Sequence, residues 1–252
     1  MFRAYIYKLF HSPLLYIGFA GTFLICLSKL GSQHKMSSVV GEMSILLNID
    51  SFRKIIPIFG ALPFAANFAE EWKNGVVLSC VSRCGTAKYA VSNVAVCFLS
   101  ALFSVFLPMM LFAWLYSFAI PVIEPNYDNF VNDVPYGFFI KNNMPFMYIA
   151  AECFIFAECA AMWAVMGLMM SAIFPNKYIA VFTPLVAGYV VERITINFPL
   201  MFDLWHISVS LLGWKSLWGQ ITYSVLYLAL LAAICGVIFG ITIKRRVQNE
   251  IV

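Results

Sequence analysis

Residues 90–120, AVSNVAVCFLSALFSVFLPMMLFAWLYSFAI, contain no Asp, Glu, Lys or Arg. A helix needs about 20 mostly apolar residues to cross the roughly 30 Å hydrocarbon layer of a bilayer, and this stretch exceeds that length. Working outward, five further apolar segments follow the same logic: 14–30, 53–69, 146–174, 177–196 and 218–243. The expected fold is therefore an all-α integral membrane protein with six transmembrane helices, in one domain covering 1–252. The surplus length of 90–120 and 146–174 implies tilt, a kink at Pro108, or helix continuing beyond the bilayer. Segment 53–69 is short and holds Pro57 and Pro63, which predicts a bent or partly unwound span.

Composition supports this reading. Of 252 residues, 62% are hydrophobic and 11% charged, with a mean hydropathy of +0.86. Soluble domains average about 45–50% apolar and about 25% charged, so lipid must solvate much of this chain. The net charge of +4 is spread over segment ends. It forms no basic stripe, and nucleic acid is not expected as a partner.

Lys and Arg near span ends set the predicted orientation. With both termini inside, Arg3, Lys8, Lys73, Arg83, Lys88, Lys177, Lys244, Arg245 and Arg246 are cytoplasmic. Lys29, Lys35, Arg53, Lys54, Lys141, Arg193 and Lys215 then face the other side, beside the acidic loop with Glu124, Asp128 and Asp133. The opening residues FRAYIYKLFHSP read as an amphipathic interfacial helix over 1–13, with Pro13 admitting the chain to the first span. The first apolar run ends in LSKLGSQ, without a small-x-small cleavage pattern, so no cleaved leader is expected.

Seven cysteines are present: five inside predicted spans, and Cys80 and Cys84 in a polar inner segment. None falls in an outer loop, and no structural disulfide is expected. Two thiols without nearby His make a poor metal site, and His11, His34 and His206 are far apart in the sequence. Residues 121–145 form a long outer loop. Residues 197–217 are aromatic but broken by Pro199, Asp203, His206 and Gly213, which predicts short helices dipping into the outer leaflet. Ala232, Gly236 and Gly240 recur every four residues, marking a close packing face.

The polar interruption 67–93, NFAEEWKNGVVLSCVSRCGTAKYAVSN, has the properties of a working part. Gly75 permits a turn that a Cβ would resist. Val77, Val81 and Cys84 then fall at helical spacing, with Ser82 and Arg83 polar, and Gly85 breaks the chain again. This predicts a short helix lying across the inner surface, between charged flanks.

The ordered set Phe68-x-x-Glu71-x-x-x-Gly75, Ser82-Arg83, Lys88-Tyr89 and a Ser at the next helix resembles the ABC-2 type permeases, the membrane subunits of ATP-driven exporters. One departure is Asn93, where many members carry Lys. The resemblance implies a dimer, with segment 70–89 a cytoplasmic coupling helix seated on a separate ABC ATPase subunit. Glu70, Glu71, Lys73, Arg83 and Lys88 would meet that subunit, and the inner turn 174–177, with Asn176 and Lys177, would add a second contact. No Gly-Lys dipeptide occurs, so a P-loop is absent. ATP and Mg are expected on the partner, and this chain is expected to be neither an enzyme nor a cofactor binder. The compact size is similar to bacterial plasma-membrane exporters of cytolytic and antimicrobial peptides, including phenol-soluble-modulin-type peptides. Lipids, glycolipids and hydrophobic drugs are alternative cargoes.

Two carboxylates, Glu152 and Glu158, fall within the fourth segment. Mid-bilayer carboxylates cost about 2.5–3.5 kcal/mol on an insertion scale and usually face a polar interior. Glu152 is expected near the hydrated outer boundary. Glu158 is the deeper candidate for lining a translocation path. A different function class, an intramembrane protease, has only Glu70-Glu71 in its favour: Gly75 stands where such enzymes carry Arg, and no His lies within a later span. A membrane scaffold is the remaining alternative.

Overall fold

A computed structural model describes residues 1–28, 38–48, 51–123, 136–208 and 217–251. Among them every regular element is helical. In chain order these are α1 (Phe2–Phe10), α2 (Pro13–Ser28), α3 (Val39–Asn48), a 3-10 turn (Ser51–Lys54), α4 (Ile56–Ala61), α5 (Asn67–Lys73) and α6 (Val76–Cys84). Then follow α7 (Thr86–Tyr116), α8 (Gly137–Lys141), α9 (Pro145–Ile173), α10 (Lys177–Thr195), α11 (Leu204–Ser208) and α12 (Leu217–Ile251).

Four helices, α7, α9, α10 and α12, are long and apolar enough to cross a membrane. The pair α1 and α2, bent by 61°, makes a fifth if counted as one span. Six uninterrupted spans are not found among the described residues. The expected second span is instead the 3-10 turn, α4, a run of turns over 62–66, and α5. Proline lacks an N–H and clashes with the preceding turn, which explains the break between Pro57 and Pro63. Backbone bonds such as Ala65 N–H to Ala61 O at 2.9 Å persist through it, and 63–66 are buried. Irregular backbone at membrane depth is tolerated where protein covers it.

The centre of the fold is α9, buried on nearly every side by α7, α10, α12 and α4. Small residues let these neighbours approach: a Cβ on Gly167 would overlap the Ala180 carbonyl oxygen of α10. Gly18 and Gly21 of α2 abut Phe59 of α4, and Gly236 and Gly240 of α12 abut Val94 and Ala90 of α7. The four-residue stripe of α12 therefore packs within the chain.

The polarity of α7 is inverted relative to a soluble helix. Asn93, Ser100 and Ser104 face inward and are buried, while Val91, Leu99, Phe103, Leu107, Leu111 and Trp114 are exposed. A helix that is apolar outward expects lipid rather than water around it.

The elements sort to two ends. At one lie α1, α5, α6, the start of α7, the α9–α10 turn and the basic end of α12. The bonds of Lys8 to Glu71 and of Arg246 to the Ile173 carbonyl tie this end together. All nine basic residues assigned to the inner side belong to its elements. At the other end, α3 meets the chain after α7 through Val39 N–H to Pro121 O, and Lys54 pairs with Glu192 of α10. Residues 124–135, which hold the acidic groups of the outer loop, and residues 209–216 of the aromatic segment lie outside the described residues. In its described part that segment buries Leu204 and Ile207 of α11 and exposes Phe198, Leu200, Met201 and Phe202.

Candidate coupling surface and buried carboxylates

The helix expected between Gly75 and Gly85 is α6. Gly75 adopts φ 68° and Gly85 φ 82°, both in a region that favours glycine. Val77 and Val81 are buried beneath α6, whereas Val76, Leu78, Ser79, Ser82 and Arg83 are exposed. An amphipathic helix bounded by two glycines of positive φ is thus pinned by its valines and shows a mixed outer face. Cys80 and Cys84 share that helix, with the Cys84 thiol directed at the Cys80 carbonyl, 3.0 Å away. Burial, and secondly the Glu71 charge, push the Cys80 thiol above its ordinary range.

Of the segment's charges, Glu71 stands apart. It is only 7% exposed. Its Oε2 accepts from the Tyr89 hydroxyl at 2.8 Å and the Tyr5 hydroxyl at 3.0 Å, and its Oε1 accepts from Lys8 Nζ at 3.3 Å. Lys8 also donates to Asn67 Oδ1. The Asn67 amide donates to Asn93 Oδ1 at 3.0 Å, and Asn93 donates to the Tyr5 oxygen at 3.2 Å. Six side chains from α1, α5 and α7 thereby close one network around a carboxylate. Burial, and secondly Glu71, hold the Tyr5 phenol well above the usual tyrosine range. Glu71 is committed to this internal knot and is not presented outward. Asn93 is fully buried in the same knot.

Glu70, Lys73, Arg83 and Lys88 are exposed, as are Asn176 and Lys177. The structure joins two of the sequence-distant groups. An open groove of about 470 Å³ lies between Glu70, Lys73 and Asn74 on one wall and Pro175, Asn176, Lys177 and Tyr178 on the other. Asn176 also has a local task, capping α10 by accepting from Tyr178 N–H at 2.9 Å, a standard N-cap role for Asn. Beside the groove, Arg246 donates to Ile173 O at 2.6 Å and lies 5.3 Å from the centroid of the Trp72 ring. A cation at the last carbonyls of α9 complements that helix end. Sequence reasoning gave no such role to Tyr5, Lys8 or Arg246, because each acts on a partner remote in the chain.

Glu152 departs from expectation. It is buried, not hydrated, with its carboxylate accepting from Tyr148 OH at 2.8 Å and Ser44 Oγ at 3.2 Å. The unforeseen helix α3 supplies Ser44 and covers the site. Glu158 is also buried, and its Oε2 has no hydrogen-bond partner.

The opposite end holds a second polar knot. Lys54 Nζ is 2.6 Å from Glu192, and the buried Arg53 donates to Ser208 Oγ. Asp203 accepts from Trp205 N–H at 3.0 Å and Thr195 Oγ1 at 3.3 Å, and meets His206. These bonds fasten α11 over the bundle. Among the described residues no group of three or more His, Cys, Asp or Glu could hold a metal.

No family model, curated protein or solved structure matches this chain.

Proposed function

We propose that this chain is the membrane subunit of an ABC-type exporter in a bacterial plasma membrane, working as a dimer with a separate ATPase. In this reading the exposed face of α6 and the groove between α5 and the α9–α10 turn form the cytoplasmic docking surface. Glu70, Lys73, Arg83, Lys88, Asn176 and Lys177 make its contacts. Glu71 serves instead as the internal anchor that makes the surface rigid. The observation that carries the proposal is this knot, because a docking helix moves membrane helices only if it is stiffly joined to them.

The sixth crossing is the broken segment 51–73. Lys54 meets Glu192 near one end of α10, and Lys73 shares a groove with Lys177 at the other. The segment therefore traverses the same thickness as a helix that is long enough to span. Cargo is an amphipathic or hydrophobic molecule, with cytolytic or antimicrobial peptides favoured over lipids and drugs. Glu158, whose free oxygen sits in the core, is assigned to the cargo path.

Photo-crosslinking residues in place of Ser79 and Asn176 test the docking surface in intact cells. Both positions are expected to capture the same ATP-binding polypeptide. Capture of no ATPase from either site would overturn the proposal, as would labelling of an Arg83→Cys variant by an impermeant thiol reagent from outside. Glu158→Gln is expected to alter cargo-stimulated ATP hydrolysis while leaving complex assembly intact.

A further inference from the structure

A wide cavity lies on the side of the bundle, with one mouth at the end that also holds α6. It is a lateral groove of about 890 Å³ between α7 and α12, within the roughly 300–1,000 Å³ range of small-molecule sites. Ala87, Val91 and Ala95 line one wall, and Ala229, Ala233 and Val237 the other. Its floor is closed where Gly236 and Gly240 bring α12 against Val94 and Ala90. The small side chains that allow this contact also leave the depression above it.

The distribution of polarity along the groove identifies its occupant. Thr86 and Lys244 are the only polar side chains among the lining residues. Both lie at the same end, at the start of α7 and beyond the apolar part of α12. The lining extends along α7 from Thr86 to Leu99, about 20 Å at 1.5 Å per residue. That covers one leaflet, half of a roughly 30 Å hydrocarbon layer, together with its headgroup zone. Lys244 is exposed and has no ion-pair partner among the described residues, and Lys88 and Arg245 stand exposed nearby in sequence.

We infer that this groove binds one anionic phospholipid, with its acyl chains against the alanine walls and its phosphate at Lys244 and Thr86. Basic mouths between membrane helices select anionic headgroups in this way. The inference needs only that α7 and α12 cross a bilayer, and it stands whether or not an ATPase docks below.

The test is native mass spectrometry of the full chain, purified in micelles with equal phosphatidylglycerol and phosphatidylcholine of matched chains. The wild type is expected to retain phosphatidylglycerol about fivefold over phosphatidylcholine, the preference one well-placed basic charge gives. Lys244→Gln, an exposed change that does not threaten the fold, should bring the ratio close to one. Ala233→Phe should lower retention of both lipids by filling the groove. Equal retention of the two lipids by the wild type would overturn the inference, as would a preference that survives Lys244→Gln. A photoreactive residue in place of Ala233 that captured a second copy of the chain, or a peptide, instead of phospholipid would also overturn it.

Discussion

Replacing Glu71 tests whether α1, α5 and α7 form one rigid unit. In Glu71→Ala, the Tyr5 and Tyr89 hydroxyls lose an acceptor at 3.0 and 2.8 Å. Each buried donor left unsatisfied costs about 1–3 kcal/mol, so the pair predicts a loss of about 2–6 kcal/mol. Lys8 adds little. Its side chain is 51% exposed, and solvent screening leaves such a pair about 0–1 kcal/mol. Glu71→Gln keeps an oxygen where both hydroxyls point and loses the charge together with the oxygen that accepts from Lys8. Charge-assisted bonds are roughly twice as strong as neutral ones, so this variant should lose about half as much. The measurement is a denaturant titration of purified protein followed by tryptophan fluorescence, paired with the rate of tryptic cleavage after Arg3 and Lys8. Cleavage should accelerate in the order wild type, Gln, Ala. An alanine variant within about 0.5 kcal/mol of wild type, with α1 equally protected, would refute the reasoning, since that is the range of an inconsequential surface change.

The two glycines flanking α6 should differ in sensitivity. A Cβ added to either would meet no atom within 4 Å, so only backbone conformation matters. Gly85, at φ 82° and ψ 153°, occupies a region reached essentially by glycine alone, whereas Gly75 is ordinary left-handed helix. Gly85→Ala is expected to lower thermal stability more than Gly75→Ala, which costs about 1–2 kcal/mol, and Gly75→Asn should be milder still. Gly167→Ala must push α9 from α10, because the new Cβ would overlap the Ala180 carbonyl oxygen; a loss of about 1–3 kcal/mol is expected in the same titration. The Tyr5 phenol, raised by burial and by Glu71, has a folded pKa above its unfolded value of about 10. Its contribution is therefore complete below pH about 10 and is lost as pH rises beyond that. Tryptic release of α1 should accelerate above pH about 10 in the wild type, and Tyr5→Phe should flatten that dependence.

Much of the fold is legible in the sequence because its signals are local. The charge-free run 90–120, the prolines at 57 and 63, and the glycines at 75 and 85 each act on their immediate backbone. The signal for α3 is equally local, but the helix is too short to register against a criterion of span length. Val39, Val40, Met43, Leu46 and Leu47 recur at helical spacing and are all buried, and Ser38 accepts from Gly41 N–H as a cap. Without α3 the setting of Glu152 comes out wrong, since Ser44 of α3 is one of its partners. The candidate site is legible in outline only. That Glu70 faces out and Glu71 in depends on Tyr5, 66 positions away, and helical periodicity within a few residues cannot supply such a partner. Adjacent identical carboxylates look interchangeable until the helix that covers one of them is placed.

The two polar knots acquire a joint meaning through segment 51–73. At one end Glu71 is held by Tyr5 and Tyr89. At the other, Lys54 holds Glu192 and Arg53 holds Ser208. Between them the helix is interrupted over 62–66, while Gly60 of α4 is close to Val105 of α7 and Phe59 of α4 to Gly18 and Gly21 of α2. Across the interruption Ala65 N–H still reaches Ala61 O at 2.9 Å and Asn67 N–H reaches Phe64 O at 3.0 Å, so the two halves are joined by bonded turns and not by a continuous helix. The prolines that deny this segment the form of a regular span thus leave two short helices joined by turns, and the clamps tie their far ends to α1 and α7 on one side and to α10 and α11 on the other.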